Sequence, residues 1–114
     1  MAKTDVAQAL QSDLDNPASL KSGEYLEERV LKTIRGAVIA GDRDGVVETL
    51  REWLILRQEP QTMLAVTAAK KEQLTELVLE IEALRTEVAA GRAFPQFYLR
   101  WIDDALSALG GSPP

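Results

Sequence analysis

The sequence predicts an all-α protein, and three observations support this fold class. Apolar residues recur at spacings of three and four along most of the chain, as on the buried face of an amphipathic helix. No segment alternates apolar and polar residues with β-branched enrichment, so a sheet is not expected. The apolar fraction of 46% and the charged fraction of 27% are typical of a folded globular protein.

A length of 114 residues suits one domain and allows a core to form without covalent cross-links. We expect a compact bundle of four main helices, which makes up a domain at residues 22–110. The four predicted helices cover roughly residues 22–40, 43–58, 61–90 and 94–109. Residues 1–21 are predicted to be an arm or a short helix, and residues 111–114 a flexible tail.

The N-terminal arm has a weak helical pattern. Thr4 can cap a short helix that places Val6 and Leu10 on one side. Pro17 disfavours a helical Asn16, so this helix should end there. The arm is expected to dock on the domain or on a partner, with a frayed tail as the alternative.

The first two main helices should form an antiparallel hairpin. Ser22 is expected to open the first helix, and Gly41 provides its C-terminal stop. Asp42 or Asp44 can then cap the second helix, which ends before Pro60. So short a connection between two amphipathic helices favours an antiparallel arrangement.

The third stretch contains a short heptad pattern. Its apolar positions are Leu74, Leu77, Ile81, Leu84 and Val88. They can form a seam between two copies, with Glu80 and Arg85 pairing across it, or pack within the chain. Val78 and Leu79 widen the apolar face, which favours packing within the chain. A break near residues 69–72 is possible, because Lys70 falls at a core-equivalent position.

Four of the six aromatic residues lie close together near the end of the chain. In a helix that starts at 94, with Pro95 in its first turn, their side chains fall within one arc of roughly 100°. The favoured interpretation is that this arc faces the core, and the alternative is an exposed face that binds a protein partner. The candidate partner-binding residues are Trp53, Phe94, Phe97, Tyr98 and Trp101.

Composition excludes several classes of chemistry. The chain contains neither cysteine nor histidine, which removes thiol nucleophiles, zinc–thiolate sites and histidine-based catalysis. We therefore expect no catalytic residue, no cofactor and no metal. Glu72, Glu76 and Glu80 form an acidic ridge that we interpret as a solvated face. The net charge of −5 argues against nucleic-acid binding, since such binding depends on neutralising phosphates.

Location follows from the absence of apolar runs. The first 17 residues carry early acids and do not resemble a signal peptide. No segment approaches the roughly 20 apolar residues that span a bilayer. We expect a cytoplasmic protein that does not enter a membrane.

The leading functional hypothesis is a non-catalytic helical module for protein–protein interaction, such as an adaptor, a regulatory subunit or a small chaperone-like protein. The alternative is a self-associating structural protein with a dimer interface at the heptad segment or the aromatic helix. A less favoured hypothesis is a ligand-binding or carboxylate-based enzyme with Glu27, Arg35 or Tyr98 in a pocket.

Overall fold

The computed structural model describes residues 3–16 and 23–110, and all regular secondary structure within these ranges is helical. The predicted all-α class is therefore confirmed. The α-helices are α1 (Lys3–Asp15), α2 (Gly23–Ile39), α3 (Arg43–Leu56), α4 (Gln61–Glu72), α5 (Val78–Ala89) and α6 (Leu99–Ala108). Short 3₁₀ turns at Thr75–Leu77 and Gln96–Tyr98 precede α5 and α6.

The number of helices differs from the predicted four. The optional N-terminal helix is present as α1, and residues 61–90 form two α-helices instead of one. α1 ends at Asp15 and Asn16 is not helical, as expected for the residue before Pro17. The expected helix start at Ser22 and the expected tail at 111–114 lie outside the described residues.

Packing divides the chain into two compact units, residues 1–49 and residues 50–114. The division falls within α3. The predicted domain limits, 22–110, stay a prediction.

In the first unit, α1 packs against α2. Val6 and Leu10 of α1 are buried, as are Leu26 and Val30 of α2. Thr4 lies inside α1 and not before it, because the helix already includes Lys3. The helix α1 therefore packs against α2 of its own chain.

The turn between α2 and α3 follows the sequence closely. Gly41 has φ +88°, a left-handed conformation that favours glycine, and it ends the helix as predicted. The backbone N–H of Asp42 donates to the carbonyl of Ala37 at 2.9 Å. The sequence offered both Asp42 and Asp44 as the N-cap of the second helix. Because α3 begins at Arg43, the N-cap position is occupied by Asp42, which is buried.

In the second unit, residues 61–90 are interrupted after Glu72. Gln73 has φ +55° and ends α4, and the N–H of Leu74 donates to the carbonyl of Ala69 at 2.9 Å. An uninterrupted helix would carry Lys70 along the apolar line. The break leaves Lys70 exposed and buries Leu74, so it resolves the conflict in the apolar pattern.

The heptad positions are packed within the chain. The fully buried members are Leu74, Leu77, Ile81, Leu84 and Val88. This confirms the favoured interpretation, and it leaves these residues unavailable as a seam between copies. Leu79 does not widen the buried face, because 76% of its surface is exposed. Both α4 and α5 pack against α6, which carries the predicted aromatic site.

Candidate functional site

The backbone around Pro95 determines how the aromatic residues are presented. Phe94 has φ +55°, and Pro95 is extended with ψ 143°. The proline ring disfavours the right-handed helical conformation for the residue before it, so a helix cannot readily run through Phe94. The prediction of one helix from 94 is therefore wrong: a 3₁₀ turn covers Gln96–Tyr98, and α6 begins at Leu99.

Four rings form a continuous cluster, which we call the aromatic patch: Phe94, Phe97, Tyr98 and Trp101. The centroids of Phe97 and Tyr98 lie 4.6 Å apart, and those of Tyr98 and Trp101 lie 5.3 Å apart. Phe94 meets Tyr98 edge to face at 6.0 Å. These separations are in the range of favourable aromatic pairs, so the rings hold one another in place.

The aromatic patch has an exposed side. Phe97 is 62% exposed and Trp101 is 52% exposed, whereas Phe94 and Tyr98 are half-buried. The expectation that these side chains face the core is therefore wrong for Phe97 and Trp101. The reason is that α6 buries a different stripe, made of Ile102, Ala105, Leu106 and Leu109.

Tyr98 connects the aromatic patch to the segment that follows α3. Burial raises the pKa of the Tyr98 phenol above its ordinary value, and the neighbouring Glu59 carboxylate raises it further through hydrogen bonding and its negative charge. The phenol therefore lies close to Glu59 as well as to the other rings of the patch.

Trp53 is not brought into the aromatic patch. Its side chain on α3 is half-buried, and the ring contacts found in the described part of the chain do not include it. Its carbonyl accepts a hydrogen bond from the Thr62 hydroxyl at 2.7 Å. Of the five predicted partner-binding residues, four therefore form one surface and Trp53 lies apart.

Two adjacent carboxylates fasten α6 to its neighbours. Asp103 forms an ion pair with Arg85 of α5, and Asp104 forms one with Lys70 of α4. Successive side chains on a helix point about 100° apart, which is why neighbouring acids reach different helices. These contacts match the rotation of α6 in which the aliphatic stripe is buried and Trp101 is exposed.

The exposed side of α6 contains residues that sequence reasoning missed. Arg100, Asp104 and Ala108 are exposed and lie on the arc next to Trp101. A helical wheel drawn from Leu99 separates this arc from the aliphatic stripe. Sequence reasoning missed this arc because it expected the aromatic side of the helix to face the core.

The acidic ridge is not a uniformly solvated face. It cannot follow one helix, because α4 ends at Glu72. The carboxylate of Glu80 pairs with Arg51 at 2.5 Å, and Arg51 also donates to the carbonyl of Glu76. Glu80 and Arg85, considered above as partners across a dimer seam, both form ion pairs within the chain.

Three residues were considered for a ligand-binding or catalytic pocket. Glu27 and Arg35 are exposed on α2, and Tyr98 is half-buried next to Glu59. Across residues 3–16 and 23–110, no cluster of three or more carboxylates is arranged to hold a metal ion. Among the helices described, none combines the length and apolar character needed to span a bilayer.

Comparisons with known proteins give no assignment. No protein-family model matches the chain, and neither the curated proteins nor the solved structures include a match to it.

Proposed function

We propose that this chain is a non-catalytic helical module that binds a protein partner through the aromatic patch. The observation that supports the proposal is the exposure of two large aromatic side chains, Phe97 and Trp101, which contact each other on the surface. Isolated exposed apolar residues are common on proteins. Two adjoining aromatic rings present a larger apolar surface, of the kind found at binding sites.

The energetics of binding favour such a surface. Tryptophan, tyrosine and phenylalanine bury a large area on association, and tryptophan and tyrosine are enriched among the residues that contribute most to affinity. Because the rings already pack on one another, little side-chain freedom remains to be lost when a partner covers them. The half-buried Phe94 and Tyr98 support the two exposed rings.

The five candidate residues have unequal parts in this proposal. Phe97 and Trp101 would contact the partner directly, with Phe94 and Tyr98 beside them. Trp53 shares no ring contact with the others, so any contribution from it would be separate. The ion pairs of Asp103 and Asp104 agree with the orientation of α6 that exposes Trp101, which burial of Ile102 and Leu106 favours.

The composition supports a binding role over chemistry. The absence of histidine and cysteine removes the side chains that most often act as acid–base catalysts or nucleophiles near neutral pH. The proposal therefore includes no cofactor and no enzymatic activity. It also places the protein in the cytoplasm, without nucleic acid or membrane as a partner.

Affinity capture with matched variants tests the proposal. The wild-type chain, the Phe97→Ala/Trp101→Ala variant and a Leu79→Ala control are each immobilised and exposed to an extract of the cells that make the protein. Leu79 is a suitable control because it is also exposed, at 76%, but lies on α5 outside the aromatic patch. Loss of two central aromatic side chains should weaken binding by at least about tenfold.

The expected result is a protein, another copy of this chain included, that the wild type and the Leu79 variant retain and the double variant releases. Circular dichroism of all three chains checks that each is folded. A partner retained equally by the double variant contradicts the proposal. So does the absence of any retained protein together with a wild-type chain that stays monomeric at about 1 mM, since weak self-association would not survive capture.

A further inference from the structure

We propose that the aromatic patch pairs with the same surface of a second copy of this chain, with the two α6 helices antiparallel and the two-fold axis crossing the exposed side of each helix at the level of residue 102. This inference rests on the proposed function and names its partner. The heptad segment cannot serve this purpose, because its apolar residues are buried within the chain.

The exposed arc of α6 determines which residues can meet a partner. With 100° per residue, Ala108 lies about 20° from Trp101, Asp104 about 60° and Arg100 about 100°, all on the side away from Ile102 and the buried stripe. Each of these side chains is exposed. Phe97 precedes the helix but touches Trp101, so it extends the same surface.

This arc is self-complementary along its length. In an antiparallel pair with two-fold symmetry, a residue before the axis faces the residue equally far beyond it on the other copy. Arg100 and Asp104 lie two positions on either side of Ile102. Phe97 precedes α6 and lies five positions before Ile102, so the same axis brings it opposite the Ser107–Ala108 end of the other copy's helix.

The first pair is matched in charge. Arg100 of each copy would face Asp104 of the other, which gives two ion pairs in total, one on each side of the axis. Lys70 already bonds Oδ2 of Asp104, but the Asp104 side chain remains 59% exposed and can accept a second donor. In a parallel pair like charges would meet, so the charges also select the antiparallel orientation.

The second pair is matched in size. Phe97 is large and 62% exposed, and it would lie over Ala108, whose methyl group leaves room close to the helix backbone. The indole rings of Trp101 would approach each other near the axis. Large residues face small ones at both ends of the contact, as interdigitating helices require.

The expected dimer is weak and reversible. Stable interfaces generally bury more than about 1,000 Å² in total, and the contact of one helix with its copy is of this order or smaller. We therefore expect a dissociation constant of tens to hundreds of micromolar, in the range where such contacts form only at high protein concentration.

Charge reversal gives a direct test by sedimentation velocity. The wild type should sediment as a monomer near about 10 µM and increasingly as a dimer towards about 1 mM. Arg100→Asp and Asp104→Arg should each shift the dissociation constant upward by at least about tenfold, because like charges then face each other. An equimolar mixture of the two variants should dimerise again, since each copy then supplies the charge that the other lacks.

Controls separate the interface from folding. Asp104→Arg also removes the ion pair with Lys70, so Lys70→Ala is measured beside it and should still dimerise. Circular dichroism shows whether Asp104→Arg is folded. If it is not, two other variants carry the test: Arg100→Asp, and Ala108→Glu, which fills the space opposite Phe97. Each of them must then abolish dimerisation.

A wild-type chain that stays monomeric at about 1 mM overturns the dimer. So does a dimer that Arg100→Asp leaves intact, or a mixture that fails to recover when both variants are folded. The capture experiment above remains informative in each case: a different protein retained through Phe97 and Trp101 supports the proposed function while the dimer fails.

Discussion

The rings of Phe97 and Trp101 meet edge to face, with centroids 5.9 Å apart and planes at 83°. The electropositive edge of one ring thus meets the electronegative face of the other, which favours this geometry. Because both side chains are mostly exposed, the contact orders a surface and contributes little to the core.

Exposure predicts a small effect of Trp101 on folding. Trp101→Ala should lower the free energy of unfolding by less than about 1 kcal/mol, because the side chain loses few buried contacts. Leu106→Ala, on the buried stripe of the same helix, should cost about 2–5 kcal/mol. Urea denaturation of both variants checks this. Equal losses would mean that Trp101 belongs to the core after all.

A buried carboxylate is predicted to hold α1 on α2. Asp13 is 4% exposed and accepts hydrogen bonds from Arg29 Nε at 3.3 Å and the Thr33 hydroxyl at 2.6 Å. Asp13→Ala leaves these donors without their acceptor and should cost about 1–3 kcal/mol. Hydrogen exchange should show faster exchange of α1 amides.

The matched control for Asp13 is Asp15→Ala in the same helix. Asp15 is exposed, and within the described residues it accepts a surface hydrogen bond from Gln11 at 3.1 Å. Its removal should change stability by less than about 0.5 kcal/mol. If the two substitutions had the same effect on α1 exchange, the polar contacts of Asp13 would not be what holds the helix.

Two glycines in helices should respond to alanine with opposite signs. A methyl group added at Gly36 in α2 would meet open space, so Gly36→Ala should stabilise the chain by about 0.5–1 kcal/mol through helix propensity. At Gly45 a Cβ would lie 2.8 Å from both carboxylate oxygens of Asp42, which is buried. Gly45→Ala should therefore destabilise by about 1 kcal/mol despite its better propensity.

The steric explanation for Gly45 can be isolated by thermal unfolding of a double variant. With Asp42→Ala present, the added methyl group no longer meets a carboxylate, so the penalty of Gly45→Ala should disappear. Additive effects of the two substitutions would contradict the explanation.

The phenol of Tyr98 should titrate above its ordinary pKa of 10.0. Burial, followed by the hydrogen bond and charge of Glu59, raises the pKa of this group in the folded chain. Its contribution to stability is thus fully present below pH 10.0 and is lost as pH rises through the folded pKa. Tyrosinate absorbance in a Tyr25→Phe background measures this directly.

Glu59→Gln tests the cause of that shift. Removing the negative charge should lower the Tyr98 pKa towards its ordinary value, but burial, the largest cause, should keep it raised. An unchanged pKa in the variant would show that Glu59 has no influence on the phenol.

Many helix positions and helix ends could be predicted, because apolar spacing and glycine determine backbone structure through neighbouring residues. Gly41 has positive φ just after α2, where the sequence placed a stop, and Gly91 and Gly110 have positive φ just after α5 and α6. The break after Glu72 was harder to locate, because the left-handed residue is Gln73, which carries no glycine signal. Only the mismatch at Lys70 indicated it.

The candidate site was harder to predict. Apolar periodicity identifies an apolar face on a helix, but it does not show whether that face packs in the core or is exposed. Residues 94–109 contain an aromatic arc and an aliphatic arc, and one helix can bury only one of them fully. The ion pairs of Asp103 and Asp104 with α5 and α4 match the rotation that buries the aliphatic arc. Such long-range contacts cannot be derived from local spacing.

Photo-crosslinking from position 97 tests most directly whether the aromatic patch is a binding surface. A benzophenone side chain replaces Phe97 in one variant and Leu79 in a control, since both residues are exposed at comparable levels, 62% and 76%. Irradiation in the cells that make the protein should give a discrete crosslinked product from position 97, identified by mass, and none from position 79. No product from position 97, or the same products from both positions, would contradict the account.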